Sequence, residues 1–200
     1  MNRSSSALIG LVLLVASGTL SAQSSARSVP KNFENVRTMG RAVSEFADDS
    51  IHVVAAYYYS QSNHESPWLL IELGALRQRA TEIRRDQIEL VTPTGRVVQL
   101  ATHARWSQDS ARNVLLLQQA TSSRHPVSSY FVAPNRQTGL PFFADLRRGG
   151  TVQNEALLAP NELALGNLFF ESPTPLWDKG TYALVVRYDG AEAVLPIELL

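Results

Sequence analysis

The sequence predicts a mainly β chain: one antiparallel β-sandwich of about eight or nine strands, with a single α-helix inserted near residues 107–122. Three observations predict it. Tyr182, Leu184, Val186 and Tyr188 alternate with Ala183, Val185 and Arg187, the period of two that a strand requires. Short apolar runs are joined by the turn signals Pro93-Thr94-Gly95 and Asp189-Gly190, which close antiparallel pairs. Strands do not alternate regularly with helices, so a parallel α/β sheet is not expected.

Composition narrows the class further. The 200 residues carry 18 basic and 18 acidic side chains and no cysteine, with 44% hydrophobic residues. There is enough apolar mass to offset ordering entropy, so the chain is not intrinsically disordered. The absence of cysteine excludes a disulfide scaffold, a Cys-ligated zinc module and a thiol enzyme. Zero formal charge and no basic block argue against a nucleic-acid partner.

Met1 to Ala22 reads as a secretory signal peptide: Arg3 is the positive start, Ala7 to Leu14 the apolar core, and Leu20-Ser21-Ala22 the cleavage site. Ala26 closes a second possible site. The apolar stretch is too short for the ~20 residues of a spanning helix, and no later run reaches that length, so no transmembrane span is expected after cleavage. Export of a cysteine-free chain points to a periplasmic or secreted bacterial protein. No Asn-x-Ser/Thr acceptor follows the leader, which agrees.

Residues 23–47 read as a flexible lead-in, Ser-rich and containing Pro30. Met39, Val43 and Phe46 at i, i+4 and i+7 suggest a short helix within it. Residues 48–200 form the sandwich. Ile51 to Tyr59 and Trp68 to Leu76 are strands separated by the turn-rich Ser60 to Pro67. Gln87 to Thr92 and Val97 to Ala101 form a hairpin, Pro93 fixing φ and Gly95 free to take a positive one. From Ser107 to Ser122 a helix is expected, with Ser107 as cap, Asp109 in the first turn, and Ala111, Val114, Leu115 and Gln118 on one face. Val114 to Leu117 is also compatible with a buried strand, because four apolar residues do not choose by period alone. Val127 to Gly150 is irregular, punctuated by Pro134, Gly139, Pro141 and Gly149-Gly150. Thr151 to Leu158 and Leu165 to Phe170 are further strands. The final hairpin turns at Asp189-Gly190 and returns with Ala193, Leu195, Ile197 and Leu199 on one face. Pro196 lacks an amide to donate, so its amide side should face an edge or a bulge.

Asp178-Lys179-Gly180-Thr181-Tyr182 resembles the Asp-x-Gly-x-Tyr tyrosine corner of immunoglobulin-like domains. The resemblance implies an immunoglobulin-like sandwich in which the Tyr182 hydroxyl bonds back to upstream backbone, with Asp178, Gly180, Gly95 and Gly190 as structural residues. Leu184 stands where that family carries its cysteine. The wider layout of residues 48–199 is similar to that of exported bacterial proteins of undefined activity. It shares with them a strand ending Leu90-Val91-Thr92-Pro93-Thr94-Gly95, a following helix, the Phe169-Phe170 strand and the Gly180-Thr181-Tyr182 strand.

Catalytic signatures are sparse. No Gly-x-Ser-x-Gly elbow is present, and His52, His64, His103 and His125 carry no serine motif. His64-Glu65 is the only adjacent ligand pair, and Asp48-Asp49 with His52 reads as a solvated strand entry, so no metal and no cofactor are expected. Gly149-Gly150 precedes a strand and lacks a following lysine, which reads as a turn and not a phosphate cradle. Arg84-Arg85 and Arg147-Arg148 read as surface pairs. The remaining candidates are aromatic. Tyr57, Tyr58 and Tyr59 would alternate along a strand beside Trp68, placing at least one ring outward as a ligand platform. The expectation is a non-enzymatic interaction module that binds an envelope protein or a cell-surface polysaccharide, using its edge strands and the irregular 127–150 region. The other reading is a carbohydrate-binding domain built on those four rings. A hydrolase would need a histidine beside a serine or carboxylate in a cleft.

Overall fold

The computed structural model describes residues 26–121, 126–132, 136–144 and 151–200. The signal-peptide expectation, His125, Arg147-Arg148 and Gly149-Gly150 lie outside these residues. In chain order the described strands are β1 (Val36–Thr38), β2 (Val43–Ala47), β3 (Ile51–Ala56), β4 (Trp68–Arg77), β5 (Thr81–Arg84), β6 (Ile88–Val91), β7 (Val97–Gln99), β8 (Arg136–Gly139), β9 (Glu155–Leu158), β10 (Glu162–Glu171), β11 (Gly180–Tyr188) and β12 (Ala191–Leu199). Three α-helices, α1 (Tyr58–Ser62), α2 (His103–Gln108) and α3 (Ser110–Thr121), join them.

The molecule is mainly β, as expected, but its described strands form three sheets. A six-stranded sheet runs β1-β2-β3-β4-β10-β8, a four-stranded sheet runs β12-β11-β6-β7, and β5 pairs with β9. Every strand pair is antiparallel except β8 with β10.

Strand alternation divides the apolar residues by face. Tyr182, Leu184, Val186 and Tyr188 of β11, Ala193, Leu195, Ile197 and Leu199 of β12, and Ile88 and Leu90 of β6 share the main core with Ile51, Val53 and Ala55 of β3. Each such aliphatic side chain contributes about 1.5–3 kcal/mol on full burial, so this layer is the principal source of stability. The opposite face of the four-stranded sheet, with Val91, Ala183 and Val185, is covered by Val29 and Phe33. The opposite face of the six-stranded sheet is covered by the 3₁₀ turn Val127–Tyr130 and Phe131. Gly74 permits that contact: a Cβ there would sit 2.6 Å from Phe131 Cε2 and 2.8 Å from Val127 Cγ1.

Several expectations need correction. The lead-in is structured from residue 26 onward. Arg27 donates its amide to the Gly95 carbonyl at 3.0 Å and pairs with Glu89 and Glu192. Val43 and Phe46 lie in strand β2, with Met39 in the connection before it, so no helix forms there. Val43 and Phe46 occupy opposite faces of β2, and the buried Ser44 takes an inner position where its hydroxyl donates to the Pro196 carbonyl at 2.5 Å. A polar residue at a core position concealed the period of two. The strand from Ile51 stops at Ala56 and the chain turns into α1, because Ser60 Oγ both donates to the Leu70 carbonyl and accepts from its amide. The single helix near 107–122 is two helices broken at Asp109, the first capped by Thr102 and not Ser107. Its buried face carries Asn113, Leu116 and Ala120, while Leu115 is 53% exposed. The short strands β5 and β8 were not foreseen, and neither is strongly apolar. Both C-terminal hairpin details stand: Asp189 and Gly190 have φ of 45° and 79°, both positive as a type I′ turn requires, and β12 is an edge strand.

Candidate functional site

Trp68, the first residue of β4, ties two otherwise separate segments together. Its backbone amide donates to Ser66 Oγ at 3.1 Å, holding the loop that leads out of α1. Its indole Nε1 donates to Asp109 Oδ2 at 3.0 Å, holding the junction of α2 and α3. The ring is 1% exposed, edge-on to Phe169, with the Arg105 guanidinium 5.2 Å from its centroid. Arg105 continues the chain of contacts to Glu171 at 2.6 Å and to Asp109 at 3.0 Å. The Trp68 indole, together with Arg105, holds the Asp109 carboxyl below the usual carboxylate range. The Glu171 and Asp109 carboxylates in turn raise the Arg105 guanidinium.

The two segments that Trp68 ties together line an open groove of about 480 Å³. Tyr59, Asn63 and Glu65 line one wall; Arg112, Leu115 and Gln119 line the other. Tyr59 links the two walls, donating its hydroxyl to Gln119 Oε1 at 2.8 Å, and Asn63 Nδ2 caps α1 on the Tyr59 carbonyl at 2.8 Å. Among the described residues Glu65 and Arg112 make no ion pair and no hydrogen bond. The groove therefore presents one carboxylate and one guanidinium free of direct ion pairs beside an exposed leucine, with Arg112 close enough to Asp109 to help lower its carboxyl.

The four aromatic candidates do not form a platform. Because the strand ends at Ala56, the three tyrosines leave the alternation that would have set them side by side. Tyr57 is 1% exposed within the main core, where burial pushes its phenol up. Tyr58 turns to Tyr130, their hydroxyls 2.6 Å apart. Of the four only Tyr59 lines the groove, while Trp68 bonds Ser66 on one side and Asp109 on the other. Glu65, Arg112 and Gln119 were missed, since their roles depend on helix α3 packing against a loop some fifty residues away in sequence.

Tyr182 donates its hydroxyl to the Asp178 carbonyl at 2.7 Å, stands edge-on to Trp177, and has its phenol pushed up to about 12 by burial and by the nearby Asp178 charge. Gly180, with φ of 135°, sits at the start of β11.

Several other chemistry-bearing groups are engaged elsewhere, while His64 Nδ1 is buried with no hydrogen-bond partner among the described residues. Among the described residues His52 hydrogen-bonds Glu45 at 2.7 Å with no hydroxyl added to the pair, and His103 meets Ser107 at 3.3 Å on α2 with no carboxylate bonded to it. Neither pair is completed into a nucleophile, base and acid. Among the described residues no three His, Asp or Glu side chains are grouped to hold a metal ion. The Arg84-Arg85 pair divides: Arg84 pairs with Asp86 at the surface, whereas Arg85 is buried. Arg85 donates to the Ala101 and Phe142 carbonyls and to Asn154 Oδ1, over the Phe143 ring, and burial lowers its guanidinium.

No protein-family model, curated protein or solved structure matches this chain.

Proposed function

We propose that this chain is a non-enzymatic, exported interaction module on an immunoglobulin-like β-sandwich, and that the groove between α1 and α3 receives an envelope protein or a surface polymer. The tyrosine-corner bond of Tyr182, the type I′ hairpin and the shared core of the two larger sheets support the fold reading. One observation carries the functional reading: the groove joins unpaired Glu65 and Arg112 with Leu115 on walls that Trp68 holds in place. A preorganised surface loses less entropy on binding, and charged side chains without a direct partner supply specificity.

Two features of the other candidate surfaces are already engaged. Edge strand β12 is buttressed by Ser44 through Pro196, and Val127 and Phe131 are packed against the large sheet.

Affinity capture from the native envelope tests the reading, using the parent chain and the Glu65→Ala/Arg112→Ala variant side by side. A stoichiometric partner or polymer retained by the parent and lost by the variant is the expected result. Equal retention by both would place the contact elsewhere.

A further inference from the structure

We infer that the occupant of the α1–α3 groove is an oligosaccharide segment of a surface polymer and not a peptide. This rests on the groove being the contact surface. Peptides dock in a few ways: as an added strand on a sheet edge, as an amphipathic helix in an apolar groove, or as a proline-rich segment on stacked aromatics. None matches. The walls are a helix and a loop, so no ladder of free backbone groups is offered; the helix backbone is bonded within α3. The apolar part of the surface is small, with Leu115 projecting and a single aromatic ring at Tyr59.

What the groove offers is side-chain polarity of several kinds at close quarters. The Glu65 carboxylate accepts only, the Arg112 guanidinium donates only, and Asn63 has its carboxamide oxygen left over after its nitrogen caps α1. A sugar ring carries hydroxyls that both donate and accept on adjacent carbons, so it satisfies a carboxylate and a guanidinium together. Its C–H faces suit Leu115 and Tyr59. Trp68 acts here as a positioning residue: it touches no ligand but sets the separation of the walls through Ser66 and Asp109.

The experiment is a titration of the ¹⁵N-labelled chain, followed by amide shifts. The probes are N-acetylglucosamine oligomers, cello-oligosaccharides and uronic-acid oligomers. At least one probe is expected to shift Tyr59, Asn63 and Gln119 together, and Arg112→Ala is expected to weaken it roughly tenfold, the usual worth of one charge-assisted hydrogen bond. Arg112 and Glu65 are both exposed, so the variants keep the fold. Shifts confined to other surfaces, or affinity unchanged in both Arg112→Ala and Glu65→Ala, overturn the inference. If no probe shifts the groove while the double variant loses a protein in envelope capture, the contact surface stands and the oligosaccharide is wrong. If no probe shifts it and capture is also unchanged, both fall.

Discussion

Replacing Tyr182 by phenylalanine removes one oxygen from a side chain that is otherwise fully enclosed. The lost atom donates to the Asp178 carbonyl at 2.7 Å and joins the start of β11 to the turn before it. A buried hydrogen bond of this kind is worth about 1 kcal/mol net, and the unpaired carbonyl left behind adds up to about as much again. Tyr182→Phe should therefore destabilise by about 1–2 kcal/mol. In a chain of this length that corresponds to a fall of about 2–4 °C in Tm per kcal/mol. Urea denaturation followed by circular dichroism measures it, with an unchanged slope showing that the unfolded state is unaltered. The alkaline limb supplies a second readout. Burial raises the Tyr182 phenol from its ordinary value of 10 to about 12 in the folded protein. Its contribution to stability is thus complete below pH ~10 and is lost as pH rises towards 12. The phenylalanine variant should lose less stability across that window than the parent. Tyr57 and Tyr188 are also raised by burial, so some alkaline loss should remain. An unchanged denaturation midpoint together with an unchanged alkaline slope would refute the tyrosine-corner argument.

Two further perturbations probe the packing and the groove. Gly74→Ala should cost about 1–3 kcal/mol through overpacking, since the new methyl would lie 2.6 Å from Phe131 Cε2. Phe131→Ala in the same chain should restore part of that loss, and a double-mutant cycle showing strict additivity would contradict it. Asp109 is held below its ordinary 3.8 by the Trp68 indole and Arg105. Its stabilising effect is present above that value and is lost as pH falls through the lower folded one. Asp109→Asn should accordingly flatten the acid limb below pH ~4, with the smaller effect expected of a surface-accessible carboxylate. An acid limb identical to that of the parent would show that the Trp68 bond does not form in solution.

The local elements with strong covalent or turn logic were readable from sequence. Asp189-Gly190 had to turn because two consecutive positive φ values favour that pair, and the alternation of Tyr182 to Tyr188 then set which residues face inward. The hairpin around Pro93 followed in the same way, with Leu90 opposite Val98. Elements whose burial involves polar side chains were not readable. Ser44 in β2 and Asn113 in α3 are both fully buried, yet each looks like a surface residue until its partner carbonyl, Pro196 or Trp106, is in place. The break at Asp109 has the same origin, since its carboxylate is held by Trp68, forty-one residues earlier.

By itself the sequence determined the mainly β class, the two hairpins, the bond of the Tyr182 hydroxyl back to the upstream backbone and the lack of any thiol. These depend on backbone preferences and residue types within a few positions of one another. Only the tertiary structure decided that Tyr57 is core, that Tyr58 serves Tyr130, that Trp68 is a brace, and that Tyr59 meets Glu65 and Arg112 in a groove. Those assignments turn on which side of a strand end a residue falls and which distant segment packs against it, and neither is encoded in local periodicity.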